Sequence, residues 1–285
     1  MTTNAALISA ARDSLRGRVA IVGVGQLGRA LLREFSAAGL GPLRAWNRSA
    51  LEPKPPISDV DWSFGGLAPD PAWLGTASVV LLCVRDDAIS ECSARLSLPA
   101  GASLMHCSGA RGSDELLISG LVHRGSYHPL QSFSDWSPLG NLVPPYAVAL
   151  EGDPEALDMG RQLALATGHH SIQLSAVEKP RYHAAAVLAS NCLVALQSAA
   201  VRVMQGCTTD EQQAVELLWP LVLGTIAGLD GGRPGEAITG PVIRGDVATV
   251  RDNLAALQDD PAARTLYVAL GREALVLSGS RLSNE

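Results

Sequence analysis

Lysine, paired cysteines and long apolar runs are all scarce in this sequence of 285 residues. Its 22 basic residues include only two lysines, Lys54 and Lys179. The basic residues form no cluster, and the formal net charge is −6. We therefore expect neither nucleic acid nor an anionic membrane surface as a partner. No apolar run approaches about 18 residues without a charge, so no membrane span is expected either.

The five cysteines form no Cys-x-x-Cys pair, and no zinc-binding spacing is present. Cys83, Cys107 and Cys192 lie inside apolar runs and are interpreted as small core residues in a reducing compartment. The N-terminal segment lacks the basic start and long apolar stretch of a secretion signal. These features predict a cytoplasmic protein without a metal site.

Short apolar runs alternate with helical patterns over the first 174 residues. The expected strands are "RVAIVGVG", "LRAWNRS", "ASVVLLCV", "ASLMHCSGA", "PYAVALEG" and "HSIQLS". Segments such as "QLGRALLREFSAAG" carry apolar residues at helical spacing and end in glycine. The proline-rich segment "PKPPISDVDWSFGG" is expected to be a loop. This alternation predicts an α/β domain of the Rossmann type, residues 1–174, with a parallel sheet and right-handed crossovers.

The pattern becomes helical after residue 174. Ser175 and Glu178 have capping-box spacing, and one helix of roughly 39 Å is expected from Lys179 to Met204. "DEQQAVELLWPLVLGTIAGL", "DVATVRDNLAALQ" and "PAARTLYVALGREALVLSG" predict three more helices. We therefore expect residues 175–285 to form an all-helical substrate and dimerisation domain.

The segment "GVGQLG" follows the first strand and opens the first helix of the alternating pattern. In this context the first glycine makes a tight turn, the second lets a diphosphate approach, and the third allows close helix–strand packing. A glycine-rich turn without a ligand is the alternative. The motif predicts a nucleotide site that includes Gly23, Gly25, Gln26, Leu27 and Gly28.

The end of the second strand selects between NAD and NADP. NAD-binding proteins place an acidic residue about 20 positions after the glycines, but here the residues are Asn47, Arg48 and Ser49. An arginine with neighbouring donors would bind a 2′-phosphate, so we expect NADP(H). The alternative is an exposed loop arginine.

Two further strand ends are expected at the same crevice. Val84 and Arg85 follow the third strand and should line it, and Asp86 is expected to cap the next helix. Ser108 follows the fourth strand. His128 precedes a proline, which keeps its backbone extended, and Gln131 comes shortly after.

The serine and the His-Pro pair resemble the prephenate-dehydrogenase-type branch of the 6-phosphogluconate-dehydrogenase-like superfamily. Four motifs, "SGA", "HPLQSF", "YHAAAVLASN" and "GPVIRGD", are together similar to a bacterial family. That family joins a Rossmann-like NADP-oxidoreductase domain to a C-terminal helical domain of unknown function. The resemblance covers about residues 17–270 and implies no particular substrate.

The segment "YHAAAVLASN" places polar residues in an apolar helix. On a continuous helix, Ser190 lies within about 20° of His183, and Asn191 within about 80°. The resemblance implies a polar pair, often lysine and asparagine, facing the nicotinamide; Lys179 lies one turn before His183. A buried polar pair with its hydrogen bonds satisfied is the alternative.

Two functional hypotheses follow. In the first, the chain is an NADP(H)-dependent oxidoreductase acting on a small carbonyl, imine or hydroxy acid. His128 or His183 exchanges the proton, and Ser108 and Asn191 bond the reacting oxygen or the nicotinamide amide. In the second, it is a non-catalytic NADP(H)-binding sensor or partner module.

Further expectations concern the substrate and the assembly. Arg244 could hold a substrate carboxylate, with an interdomain salt bridge and a capping Asp246 as the alternative. Gln131 and Ser190 are further candidate substrate contacts. A homodimer through the helical domain is expected, as in the superfamily.

Overall fold

The computed structural model describes residues 2–51, 56–133, 145–229 and 234–277. Lys54 and the proline-rich start of the predicted loop lie outside the described residues. The chain divides into two compact units, residues 1–186 and 187–285. This division lies inside a helix that follows the predicted boundary at residues 174 and 175.

The first unit alternates strands and helices, as the sequence predicts. Its elements are α1 Thr2–Leu15, β1 Val19–Val22, α2 Gln26–Ala37, β2 Leu43–Asn47, β3 Val60–Phe64, β4 Val79–Leu82, α3 Ile89–Ala94, β5 Ser103–His106, β6 His123–Pro129, β7 Ala147–Gly152, α4 Pro154–Ala166, β8 His170–Gln173 and α5 Lys179–Ala189. A short 3₁₀ turn, Asp86–Ala88, precedes α3. The sequence reading missed α1, β3 and β6.

The eight strands form one sheet in the order β3-β2-β1-β4-β5-β6-β7-β8. The first six run parallel, in the 3-2-1-4-5-6 order of dinucleotide-binding sheets. β6 and β7 pair antiparallel, so the predicted parallel sheet carries one antiparallel pair. The missed strand β6 lies between β5 and β7 in the sheet order.

Alternate residues of β1 enter cores on opposite faces of the sheet, as a pleated strand requires. Val19 and Ile21 pack in a cluster with Phe35 of α2, whereas Ala20 packs in a cluster with Ile89 of α3. β1, β4 and β5 are therefore buried along their whole length. The carboxyl ends of β1 to β6 lie along one edge, where open α/β sheets bind ligands.

The second unit is helical, with α6 Asn191–Met204, α7 Glu211–Leu229, α8 Pro234–Ala237, α9 Val247–Ala256 and α10 Pro261–Leu277. The expected single helix from Lys179 to Met204 is wrong, because Ser190, at φ −120° and ψ −74°, interrupts it. The predicted angles between His183, Ser190 and Asn191 assumed a continuous helix and do not hold. Cys192 is exposed and is not a core residue.

One stretch, residues 179–207, is long and apolar enough to cross a membrane, with a mean hydropathy of 1.7 in its most apolar window. The sequence reading expected no such stretch in the chain. Only 6% of that window is buried, and a single such stretch is by itself weak evidence for a membrane span.

Candidate functional site

The three glycines after β1 differ in the space around their Cβ positions. Gly23 has φ +97°, and a Cβ there would lie 2.5 Å from the Cys83 carbonyl oxygen. A Cβ on Gly28 would collide with the Gly23 carbonyl oxygen. Gly25 has no atom within 4 Å of its Cβ position. Two glycines are thus required by packing, and the third leaves open space above the loop.

The start of α2 is suited to an anion. Gly25 is its N-cap and offers no side-chain cap to the first N–H groups of the helix. Uncapped N–H groups and the helix dipole favour a phosphate at such a terminus. A diphosphate therefore fits this loop, with Gln26, Leu27 and Gly28 in the first turn of α2.

Asn47 braces the glycine loop from the end of β2. Its Oδ1 accepts a hydrogen bond from Val24 N at 3.0 Å, and its Nδ2 donates to the Ser49 carbonyl at 2.8 Å. Arg48 and Ser49 are exposed beside it. Asn47 thus contributes to the site by holding the loop, and Arg48 presents the charge.

The end of β4 approaches the same loop. A Cβ on Gly23 would lie 3.1 Å from Val84 Cγ1, so Val84 borders the glycine loop. Arg85 is exposed and pairs with Asp87 at 2.8 Å. Asp86 does not cap the next helix, because its carboxylate accepts a hydrogen bond from Ser108 Oγ at 2.9 Å.

Ser108 fixes the turn after β5. Its hydroxyl donates to Asp86 and accepts from the backbone N–H groups of Ala110 and Arg111, at 3.2 and 3.1 Å. Its own N–H donates to His106 Nδ1 at 3.1 Å, so the His106 proton is on Nε2, which donates to the Gly112 carbonyl. With these partners, the hydroxyl of Ser108 holds the turn rather than pointing free toward a ligand.

His128, Tyr182 and His183 form a cluster around Gly109. The Tyr182 hydroxyl lies 2.7 Å from His128 Nδ1, and the His128 and His183 ring centroids are 6.2 Å apart. A Cβ on Gly109 would lie 2.7 Å from His183 Nδ1 and 2.9 Å from His128 Nε2. The buried Nδ1 of His183 has no hydrogen-bond partner among the described residues.

The spacing of residues along β6 and α5 brings these side chains together. Residues two apart on β6 share a face and span about 6.6 Å, and residues three apart on α5 lie on neighbouring positions of one face and span about 4.5 Å. Lys179 accordingly contacts Ser126, and one turn later Tyr182 contacts His128. The sequence analysis proposed His128 and His183 as site residues but missed Tyr182. The spacing of three residues between Lys179 and Tyr182, which places both on one side of a helix, could have indicated it.

The protonation of this cluster follows from its burial. Burial, together with the charges of Lys179 and His183, lowers the pKa of His128 to about 4 against the opposing charge of Asp86. Burial raises the pKa of Tyr182 to about 12. Near pH 7 both groups are therefore neutral, and His128 acts as a hydrogen-bonding imidazole.

The remaining candidates are Gln131, Ser190, Asn191 and Arg244. Gln131 is half-buried, and its Oε1 accepts a hydrogen bond from Ser132 N. Ser190, Asn191 and Arg244 belong to the second unit, and their roles stay predictions. Asp246 caps α9 by accepting from Thr249 N at 3.1 Å, as the capping alternative held. The described residues contain no group of three side chains able to hold a metal ion.

Residues 146–274 match the profile of a family described as a domain of unknown function (DUF2520). No curated protein matches the chain. Among solved structures, protein TM1727 from Thermotoga maritima is 25% identical with a TM-score of 0.71, and the match covers 92% of this chain and 98% of that one.

Two further structures carry descriptive names. BF3122 from Bacteroides fragilis, provisionally named an NADP oxidoreductase, is 20% identical with a TM-score of 0.72, covering 90% of this chain and 96% of that one. A reductive aminase from Aspergillus terreus in complex with NADPH and ethyl levulinate is 18% identical with a TM-score of 0.59, covering 92% and 94%. Reductases of 1-pyrroline-5-carboxylate and of imines also match, at 11–17% identity.

These matches and the sheet order establish the fold class that the sequence predicted. The chain has a Rossmann-type α/β sheet followed by a helical C-terminal region. The structures that share this fold include several reductases that use NADP, and their chemistry is considered next.

Proposed function

We propose that this chain is an NADP(H)-dependent oxidoreductase that moves a hydride between the nicotinamide and a small carbonyl, imine or hydroxy acid. One observation carries the proposal: the open space at the Cβ position of Gly25 and His128, which contacts Tyr182, both lie at the carboxyl ends of strands of one sheet. In this fold that edge holds dinucleotides. The wider kinship proposed is with the 6-phosphogluconate-dehydrogenase-like superfamily.

The spacing along the edge fits the length of the coenzyme. β1, which carries the glycine loop, and β6, which carries His128, are three inter-strand steps apart. At about 4.8 Å a step, the separation is about 14 Å. A dinucleotide with its diphosphate at β1 and its nicotinamide over the half containing β4 to β6 would therefore reach toward His128.

The choice of NADP over NAD rests on Arg48. Its exposed guanidinium follows β2, where an NAD-binding site has a carboxylate. The named NADP oxidoreductase and the reductive aminase bound to NADPH support the same choice. Asn47 and Ser49 complete this end of the site.

The coenzyme, when bound, supplies the hydride, and the protein supplies the proton. His128 is neutral near pH 7 and is held by Tyr182, so it orients the substrate through hydrogen bonds. His183, whose buried Nδ1 has no hydrogen-bond partner among the residues that the structure describes, exchanges the proton. Reduction of an imine then adds hydride at carbon and a proton at nitrogen. The imine and amine chemistry of structurally similar reductases favours this substrate class.

Titration with NADPH and NADH, followed by a substrate panel, tests the proposal. We expect NADPH to bind more tightly than NADH, because Arg48 can bond the 2′-phosphate, an interaction of about 1.5–3 kcal/mol or about 10–150-fold. A loss of absorbance at 340 nm is expected with at least one cyclic imine, ketone or amine–ketone mixture. NADPH binding without turnover of any panel member would instead favour the sensor hypothesis.

We propose further that the protein is a cytoplasmic homodimer joined through its second unit. From Leu217 to Leu229, α7 carries a single polar side chain, Thr225, and only Ala214 of the 19 residues of the helix is buried. Leu217, Trp219 and Leu221 are 60%, 53% and 67% exposed. A helix apolar all round is normally buried, and a second copy of the chain is the occupant we expect.

Light scattering checks this assembly. We expect a mass of twice 29.7 kDa for the native chain. Leu221→Asp should yield monomer, because a carboxylate would have to be buried unpaired. Gln212→Asp, an exposed position in the first turn of α7, is the matched control and should stay dimeric. A native monomer, or a chain recovered only with lipid vesicles, would refute the homodimer.

A further inference from the structure

We propose that Lys179 is a positioning residue whose buried ammonium group anchors the Ser108–Gly109 turn against His128 and His183. It is charge-balanced by Glu151 through the Ser126 hydroxyl. The consequence for turnover rests on the proposed function, whereas the charge balance and the anchoring do not.

The burial of Lys179 is unusual for a lysine. Its side chain is 2% exposed, although lysine is almost never fully buried unless paired. Its Nζ donates to the Ser108 carbonyl oxygen at 3.0 Å and to Ser126 Oγ at 2.7 Å. A buried ammonium group needs both hydrogen bonds and an opposite charge to offset its lost hydration.

Glu151 supplies the opposite charge. It is 7% exposed and lies opposite Ser126 in the register of β6 and β7. Its carboxylate accepts from the N–H and hydroxyl of Ser113, both at 2.8 Å, and a longer bond of 3.5 Å from Ser126 Oγ. The Ser126 hydroxyl thus accepts from Lys179 and donates to Glu151. Burial lowers the pKa of Lys179 to about 8 against the charge of Glu151, so the ammonium form predominates near pH 7.

The anchoring reaches the cluster through one peptide. The carbonyl that Lys179 holds belongs to Ser108 and directly precedes Gly109. Gly109 contacts His128 and His183 so closely that even one added methyl group would collide with both. Releasing Ser108 would therefore loosen the wall against which the two histidines pack. Both hydrogen bonds of the Lys179 Nζ go to groups of the protein, so we assign Lys179 no proton exchange with substrate.

Amine labelling tests the burial without any substrate. Lys54 is the only other lysine. In the Lys54→Arg protein, Lys179 and the N-terminus therefore carry the only amines that an acetylating reagent can modify. We expect the native protein to be acetylated at Lys179 at least about 100-fold more slowly than the urea-unfolded protein, with the N-terminus as internal standard. Equal rates in both states would overturn the proposal.

A double-mutant cycle tests the charge balance. Lys179→Met and Glu151→Gln should each destabilise the fold, because each leaves one buried charge unbalanced. The double variant should have a folding equilibrium constant at least about tenfold above the additive expectation. Asp158→Asn on α4 is the control partner: Asp158 is exposed and pairs with Arg161, and its effect should add to that of Lys179→Met. An additive Lys179–Glu151 pair would contradict the charge balance.

Two readouts separate positioning from direct proton exchange. In Lys179→Met the NMR midpoint of His128 should rise from about 4, because one of the charges that lower its pKa is gone. The other titratable groups near these two residues are Asp86, Glu151, Cys107, His106 and His183. We expect kcat to fall about 10–100-fold with the shape of its pH profile retained. Loss of a limb with a midpoint near 8 would make Lys179 the proton donor and refute a positioning role.

Discussion

Replacing His183 by alanine is expected to lower kcat by about 10²–10⁴-fold, the usual contribution of a general acid or base, with NADPH Kd changed by less than about twofold. His183 contacts Gly109 and neighbours His128, whereas the phosphate loop is formed by Gly23 to Gly28 on β1 and α2. Chemistry and coenzyme affinity should therefore separate. Steady-state kinetics and NADPH fluorescence titration measure the two quantities.

His170→Ala is the matched control for this prediction. His170 is exposed at the start of β8, so its loss should change neither kcat nor Kd by more than about twofold. His128→Asn is the informative comparison, because asparagine keeps a hydrogen-bonding group but cannot titrate. If neutral His128 only orients substrate, the asparagine variant should retain far more activity than His183→Ala. Unchanged turnover in His183→Ala would reduce His183 to a packing residue.

The glycine loop could be predicted from the sequence because two of its three glycines meet a local steric demand. Gly23 and Gly28 are required by contacts within one strand–turn–helix unit, and such units have a recognisable pattern. His128 could also be proposed from the sequence, because the proline that follows it keeps its backbone extended. The fold class followed in the same way from alternating strands and helices.

The sequence could not reveal what depends on the register between distant elements. Tyr182 became part of the site only through the match between α5 and β6, which are more than 40 residues apart in the chain. Ser108 was expected to face substrate, but its hydroxyl has three partners within the protein. A one-residue break at Ser190 removed the helical face on which Asn191 was placed.

Replacing Gly25 by serine is expected to weaken NADPH binding by about 10–100-fold while leaving the melting temperature unchanged or slightly higher. Gly25 has φ −76° and ψ −160°, which any residue can adopt, and no atom lies within 4 Å of its Cβ position. Serine should therefore fit the free protein, and its hydroxyl is a good N-cap for α2. In doing so it would occupy the N–H groups and the space that a diphosphate needs.

A loss of NADPH affinity without a loss of thermal stability makes this prediction specific to a phosphate site. A general disturbance of the fold would lower both, as Gly28→Ala should, because its Cβ would collide with the Gly23 carbonyl. Gly206→Ser, at another glycine with open space around its Cβ position, controls for the serine itself and should leave NADPH affinity unchanged. Thermal melting and NADPH titration of the three variants are sufficient. If Gly25→Ser bound NADPH as tightly as the native chain, no diphosphate would approach α2 at this loop, and the proposed placement of the coenzyme at β1 and α2 would be wrong.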